Sequence, residues 1–114
     1  MKILFVEDNA NTARAMKMML ELRGYTVDTA GTVAKALECL QVDGYDLMIS
    51  DISLPDGTGY DILSRTSSHV PAIALSGYTS HADRDESLAK GFKEFITKPF
   101  KPDDLIEAIE RLRS

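Results

Sequence analysis

The sequence predicts one α/β domain, residues 1–114, built on a five-stranded parallel sheet with helices on both faces. Short runs rich in Val, Ile, Leu and Phe alternate with segments of helical periodicity, which is typical of such a sheet. The length of 114 residues suits one compact domain, and a hydrophobic fraction of 44% is enough for a core. The predicted strands are 2–6, 26–30, 46–50, 72–76 and 94–97, and the predicted helices are about 10–23, 32–42, 59–66, 81–90 and 102–112.

The strand runs differ in how their apolar residues are arranged. Runs 3–6, 47–49 and 72–75 are continuously apolar, as expected for strands that helices cover on both faces. The run 26–30 alternates between apolar and polar residues, which indicates an edge strand. We therefore expect the strand order 2-1-3-4-5, with strands one and three adjacent. The winding direction then reverses between these two strands, and ligands bind at that point in open α/β sheets.

Local start and stop signals support the helices. Gly24 marks the end of the first helix, and Thr32 can cap the second. A breaker segment at 54–57 precedes the third helix, and the charged run 83–86 is interpreted as the solvated face of the fourth. Pro102 suits the first position of the fifth helix. Buried stripes are predicted for Val33, Ala36, Leu37 and Leu40 in the second helix and for Leu105, Ile109 and Leu112 in the fifth.

The composition argues against several classes of function. A net charge of −5 disfavours a nucleic-acid-binding domain, which normally has a basic face. The longest apolar runs have four to five residues, far fewer than a membrane span requires. Glu7 and Asp8 follow the first run at once, so that run lacks the length of a signal peptide. The single cysteine, Cys39, permits no internal disulfide, and we expect a reducing, cytoplasmic setting.

Polar residues follow the apolar runs at positions where folding requires no charge. Glu7 and Asp8 follow the first run, Asp51 ends the third, Ser76 ends the fourth and Lys98 follows the fifth. Because the carboxyl ends of parallel strands meet at the same edge of a sheet, we expect these side chains to gather on one rim. This cluster is the strongest clue to function in the sequence.

The chemistry of the cluster indicates a metal-assisted reaction at phosphorus. Neighbouring carboxylates repel one another unless a cation binds, and their oxygens suit Mg²⁺ or Mn²⁺. One cysteine and two histidines give no ligand set for zinc. A carboxylate beside Mg²⁺ can attack phosphorus and form an aspartyl phosphate. Lys98 and Ser76 could then contact phosphoryl oxygens. Lys98 precedes Pro99, which favours an extended backbone and gives only the usual low odds of a cis bond.

Several motifs together resemble the receiver domain of two-component response regulators. They are Glu7–Asp8, Asp51 with the segment 54–59 that follows it, Ser76–Gly77 and the segment 98–100. The resemblance covers the whole chain, in order and with compatible spacing. It implies a flavodoxin-like α/β fold of five strands and five helices. It also implies that Asp51 is the phosphoacceptor, which receives a phosphoryl group from a histidine kinase or a histidine phosphotransfer protein.

The same resemblance implies a role for each residue of the cluster. Asp8 and Asp51 would ligate Mg²⁺, Glu7 would act largely through water, and the backbone carbonyl of Ser53 would be a further ligand. Lys98 would contact the phosphate, and Ser76 would be the switch hydroxyl that moves toward it.

Phe95 falls where the family carries its switch aromatic, whose ring turns inward on activation. Many members have tyrosine at this position. Since phenylalanine has no hydroxyl group, we expect any switch in this chain to act through packing alone.

The resemblance also suggests the context and partners of the domain. The segments 76–78, 91–92 and 97–100 are similar to receivers fused to hybrid sensor kinases, and the chain starts directly at the first strand, so we expect an excised domain. The family often uses the fourth helix, fifth strand and fifth helix for partners, so a weak homodimer through that surface is expected. We expect the domain itself to contact neither nucleic acid nor a membrane.

Two other functions fit the fold less well. A phosphohydrolase with an aspartyl nucleophile would need a second acid soon after Asp51, where the chain has Ile52, Ser53 and Leu54. A flavodoxin-like module that binds FMN would need a phosphate loop after the first strand, where the chain has two acids. The leading hypothesis is a phosphorylation-controlled switch that takes up and slowly hydrolyses its own phosphoryl group, and not a turnover enzyme.

Overall fold

The computed structural model describes residues 1–42, 44–67, 69–77 and 81–113. Its strands are β1 (Lys2–Val6), β2 (Thr26–Ala30), β3 (Leu47–Asp51), β4 (Ser53–Leu54), β5 (Gly57–Thr58), β6 (Ala72–Ser76) and β7 (Glu94–Thr97). Its helices are α1 (Ala10–Leu22), α2 (Val33–Val42), α3 (Gly59–Arg65), α4 (His81–Ala89) and α5 (Pro102–Arg113). Within these described ranges, no helix is long and apolar enough to cross a membrane.

Five of the strands form one parallel sheet in the order β2-β1-β3-β6-β7. Because β4 and β5 form a separate short antiparallel hairpin, the main sheet has the predicted order 2-1-3-4-5. The sequence pattern does not predict the hairpin, since strands of two residues show no periodicity. The third strand ends one residue later than predicted, because Asp51 still pairs with Leu75 of β6.

Helices cover both faces of the sheet, as the sequence predicts. Successive side chains of a strand point to opposite faces, so the apolar residues divide into two layers. The layer beneath α1 and α5 contains Phe5, Ile49 and Leu75 from the sheet, together with Leu20 and Ile109 from the two helices. The layer beneath α2 and α3 contains Leu4, Met48 and Ala74 from the sheet, together with Ala36 and Ile62 from the two helices.

The predicted helix signals are present at the expected ends. Gly24 follows α1 with a φ of +93°, and Pro102 is the first residue of α5. The hydroxyl oxygen of Thr32 caps α2 by accepting a hydrogen bond of 3.0 Å from the Lys35 N–H. On α4, residues 84–86 of the charged run 83–86 are exposed, which agrees with a solvated face, and the side chain of Asp83 lies outside the part that the structure describes.

Truncation of Ile49 should destabilise the fold strongly, because its side chain is fully buried at the centre of the sheet. We expect Ile49→Ala to lower the free energy of unfolding by about 2–5 kcal/mol through lost burial and a residual cavity. Leu22 is a matched control on α1 with an exposure of 86%, and Leu22→Ala should change the same quantity by less than about 0.5 kcal/mol. Urea unfolding followed by circular dichroism measures both. Equal losses in the two variants would contradict this layered core.

Candidate functional site

The polar residues that follow the strands lie together at one rim of the sheet. Glu7 follows β1, Asp51 ends β3 and Ser76 ends β6, and all three side chains are buried. Asp8 is exposed and Lys98, just after β7, is partly exposed. They line a cleft of about 380 Å³. The structure therefore brings the cluster together, while the role of each residue stays a prediction.

Lys98 balances two buried carboxylates. Its Nζ lies 2.7 Å from Oδ1 of Asp51 and 3.0 Å from Oε2 of Glu7, to which it donates a hydrogen bond. Burial acts to lower the pKa of Lys98, but the contacts with Asp51 and Glu7 outweigh it and raise the pKa, so the ammonium group stays charged. The Lys98–Pro99 peptide bond is cis.

One oxygen atom of Asp51 is buried, with the Lys98 ammonium group as its charged neighbour. Oδ1 forms an ion pair with Lys98, yet it accepts no hydrogen bond of regular geometry among the described residues. Burial, together with the neighbouring carboxyl group of Glu7, raises the pKa of Asp51 to about 7, and Lys98 offsets only part of this effect. A second cation at this oxygen would stabilise the ionised form.

Glu7 carries the charge of the pair more readily than Asp51. Burial acts to raise its pKa, but contacts with Asp51 and Lys98 and a hydrogen bond from the backbone N–H of Asn9, 3.1 Å from Oε1, lower it overall. Of the two carboxyl groups, Asp51 therefore takes up a proton at the higher pH, because its pKa is raised while that of Glu7 is lowered.

The acids of the rim fit a hard divalent cation. Glu7, Asp8 and Asp51 each offer one carboxylate oxygen, and these atoms all lie within 4.8 Å of one another. Among the described residues, three carboxylates lie beside the Lys98 ammonium group, which leaves excess negative charge, and Oδ1 of Asp51 accepts no hydrogen bond of regular geometry there. Oxygen ligands and an exposed Asp8 that faces solvent suit Mg²⁺ or Mn²⁺, which retain several waters.

Gly59, at the start of α3, allows the backbone of Asp51 to approach closely. A Cβ atom at position 59 would lie 2.7 Å from the carbonyl oxygen of Asp51 and 3.2 Å from Oγ of Ser50. The Gly59 N–H donates a 2.8 Å hydrogen bond to the carbonyl of Ile52. Only glycine fits this contact without moving the strand end that carries Asp51.

The remaining predicted residues differ in their distance from the cluster. Ser53, in the hairpin strand β4, lines the same cleft. Ser76 lines it too, and its backbone carbonyl accepts a 2.7 Å hydrogen bond from the Lys98 N–H. Phe95 does not line the cleft; the residue is 6% exposed, and the Arg84 guanidinium lies 5.3 Å from the ring centroid.

Two residues that shape the site, Gly59 and Asp56, have no functional role in the sequence predictions. Gly59 belongs to a motif, but a close approach to Asp51 becomes visible only in three dimensions. Asp56 reads as a turn residue after Pro55, whereas in the structure its carboxylate also caps α2. Its partners are 22 and 23 residues away in the chain, so no local pattern could have identified them.

Comparisons with known proteins agree on one family. Residues 3–110 match the family model described as response regulator receiver domain. The transcriptional regulatory protein KdpE of Mycobacterium tuberculosis is 37% identical over 98% of this chain and 49% of its own length, so the chain spans about half of that relative.

Solved structures show the same fold. A CheY-like response regulator receiver domain protein from Methanospirillum hungatei has a TM-score of 0.89 and 33% identity, covering 98% of this chain and 93% of that one. The receiver domain of a signal transduction histidine kinase from Syntrophus aciditrophicus has a TM-score of 0.86 and 33% identity, covering 97% and 88%.

Asp51 should make stability depend on pH when divalent ions are absent. Folding raises the pKa of Asp51 from 3.8 to about 7, so the folded state favours the protonated carboxyl group. The stability that this group contributes is fully present below pH 3.8 and is lost as the pH rises through 7. Relative to Asp51→Asn, the wild type should therefore lose on the order of a few kcal/mol of unfolding free energy between pH 4 and 8. Urea unfolding of both proteins in EDTA measures this difference. A difference that stays constant with pH would contradict the raised pKa.

Gly59→Ala should displace the backbone at Asp51. The added Cβ pushes against the backbone of Asp51, so we expect a loss of about 1–3 kcal/mol in unfolding stability and a shift of the Asp51 amide resonance. Gly44→Ala is a control, because a Cβ there meets nothing within 4 Å. NMR spectra and urea unfolding test both variants. An unchanged Asp51 resonance in Gly59→Ala would show that the contact is not restrictive.

Proposed function

The chain belongs to the response regulator receiver domain family, and from that premise we propose that it is the phosphoacceptor of a two-component system. In this proposal Asp51 accepts a phosphoryl group from a phosphohistidine of a histidine kinase or a histidine phosphotransfer protein. The observation that carries the proposal is the buried carboxylate of Asp51, with Lys98 at 2.7 Å and ligand oxygens of Glu7 and Asp8 within 4.8 Å.

Receiver domains bind Mg²⁺ at an acidic pocket, and the acids at this rim fit that ion. Asp8, Asp51 and the backbone carbonyl of Ser53 would hold it, with Glu7 acting through water. The ion, or Mn²⁺ in its place, would supply positive charge that reduces the repulsion between the attacking carboxylate and the phosphoryl oxygens.

The transfer step uses the ionised form of Asp51. A carboxylate oxygen attacks phosphorus as the bond between phosphorus and the donor's imidazole nitrogen breaks, and that nitrogen leaves with the electron pair. Lys98, already beside Asp51, turns to a phosphoryl oxygen as a point charge, and the Ser76 hydroxyl donates a hydrogen bond to another. The movement of the Lys98 and Ser76 side chains away from their present positions would transmit the signal to the surface of the domain.

Phe95 would respond to phosphorylation by packing alone. Phe95 is buried, with the Arg84 guanidinium near its ring, and it has no hydroxyl group to form a hydrogen bond.

Partner contacts also stay a prediction. They would involve the surface of α4, β7 and α5 and include a weak homodimer. The origin from a hybrid kinase also stays a prediction, because KdpE and a histidine kinase receiver are both similar to this chain.

We favour a signalling module over the two other functions. Receiver domains are signalling modules, and the three residues after Asp51 include no second acid for a phosphohydrolase. Glu7 and Asp8 after β1 would repel an FMN phosphate.

Receiver domains typically work in the cytoplasm beside their kinases. We propose that location here, without contact between this domain and nucleic acid or a membrane.

Incubation with acetyl phosphate and Mg²⁺ should add one phosphoryl group to the wild-type protein, and Asp51→Asn should abolish the adduct because the nucleophile is gone. EDTA should prevent it as well. Asp85→Asn is a control, since Asp85 is an exposed acid on α4 and its loss should leave the adduct intact. Intact mass spectrometry measures all of these outcomes. An adduct that persists in Asp51→Asn, or failure with both acetyl phosphate and the cognate kinase, would refute the proposal.

A further inference from the structure

One side chain ties the hairpin that carries Ser53 to the start of α2. Oδ1 of Asp56 accepts a 2.8 Å hydrogen bond from the Val33 N–H, and Oδ2 accepts a 3.0 Å bond from the Ala34 N–H. These N–H groups belong to the first turn of α2, where a helix offers them no carbonyl partner. The positive end of the helix dipole favours a carboxylate there, and these hydrogen bonds lower the pKa of Asp56.

Asp56 holds the tip of the hairpin. Ser53 pairs with Thr58 and Leu54 with Gly57, so Asp56 lies in the turn between the two strands. An isolated two-stranded hairpin is marginally stable in water, and this one has strands of only two residues. The two hydrogen bonds of Asp56 therefore restrain the tip of the hairpin.

The base of the hairpin is fixed independently of Asp56. The Ile52 N–H donates a 3.0 Å hydrogen bond to the carbonyl of Leu75 in β6, and the carbonyl of Ile52 accepts one from the Gly59 N–H. Ser53 thus lies between a base held by the main sheet and a tip held by α2.

We propose that Asp56 is a positioning residue for the metal site, because its anchor on α2 sets the direction of the Ser53 backbone carbonyl. A backbone carbonyl cannot turn by changing rotamer, so its direction follows the path of the hairpin. When a ligand group is already held in place before the ion binds, less conformational entropy is lost on binding. The inference rests on the proposed function, which assigns that carbonyl to the metal.

The competing explanation is that Asp56 only stabilises α2. A substitution at Thr32 can distinguish the two explanations. Thr32 caps the same end of α2, but it belongs to the segment before the helix and not to the hairpin. Thr32→Ala should reduce the stability of α2 as Asp56→Ala does, by roughly 1 kcal/mol. It should leave the hairpin in place.

Calorimetric titration with Mg²⁺ alone tests the inference on the wild type, Asp56→Ala, Asp56→Asn and Thr32→Ala. We expect Asp56→Ala to raise the Kd for Mg²⁺ about 5-fold, a coupling of ordinary size between sites. Asp56→Asn should fall between it and the wild type, because the amide oxygen can accept one of the two hydrogen bonds. Thr32→Ala should bind as the wild type does. By linkage, Mg²⁺ should slow hydrogen exchange at the Val33 and Ala34 amides of the wild type.

Two results would overturn the inference and leave the proposed function standing. In one, Asp56→Ala binds Mg²⁺ as tightly as the wild type. In the other, Thr32→Ala weakens binding as much as Asp56→Ala, so that loss of the helix cap alone explains the effect. If Asp56→Ala fails to fold, Asp56→Asn and the exchange measurement decide. Absence of Mg²⁺ binding in the wild type would instead refute the metal site itself, and the inference with it.

Discussion

The site depends on the balance of charge between Lys98 and the two buried carboxyl groups of Glu7 and Asp51. A buried charge without a partner is very costly, and a single ammonium group at 2.7 Å and 3.0 Å cannot fully offset two carboxylates. The result is that burial and the neighbouring Glu7 raise the pKa of Asp51 to about 7. The molecule is thus built with a deficit of positive charge at the carboxylate that we propose as the phosphoacceptor. A divalent ion would correct that deficit and free Asp51 for reaction.

The fold supplies this arrangement from separate parts of the chain. Glu7 and Asp51 come from β1 and β3, which are neighbours only because the winding direction reverses between them. Lys98 follows β7, at the far edge of the same sheet. No local segment could hold these groups together, so the two apolar layers that fix the sheet also fix the site. Stability and function are therefore coupled at the ends of the strands.

Much of this could be predicted from the sequence, for identifiable reasons. Continuously apolar runs such as 47–49 distinguish central strands from the alternating edge run 26–30, and the strand order then places the acids on one rim. The sequence could not show the features that depend on distances between residues far apart in the chain. The cap of α2 by Asp56 spans more than 20 residues, and the fit of Gly59 against Asp51 needs atomic positions. The raised pKa of Asp51 likewise arises from burial, which no motif records.

The central claim is that Asp51, and no other acid of the rim, carries the phosphoryl group. Borohydride reduces an acyl phosphate on aspartate to homoserine, so the modified position can be read by peptide sequencing in a mass spectrometer after phosphorylation by the cognate kinase or acetyl phosphate. The account predicts homoserine at position 51 in a protein that keeps Glu7 and Asp8 unchanged. Reduction at Asp8, at Glu7 or at an acid outside the cleft, with Asp51 intact, would contradict it.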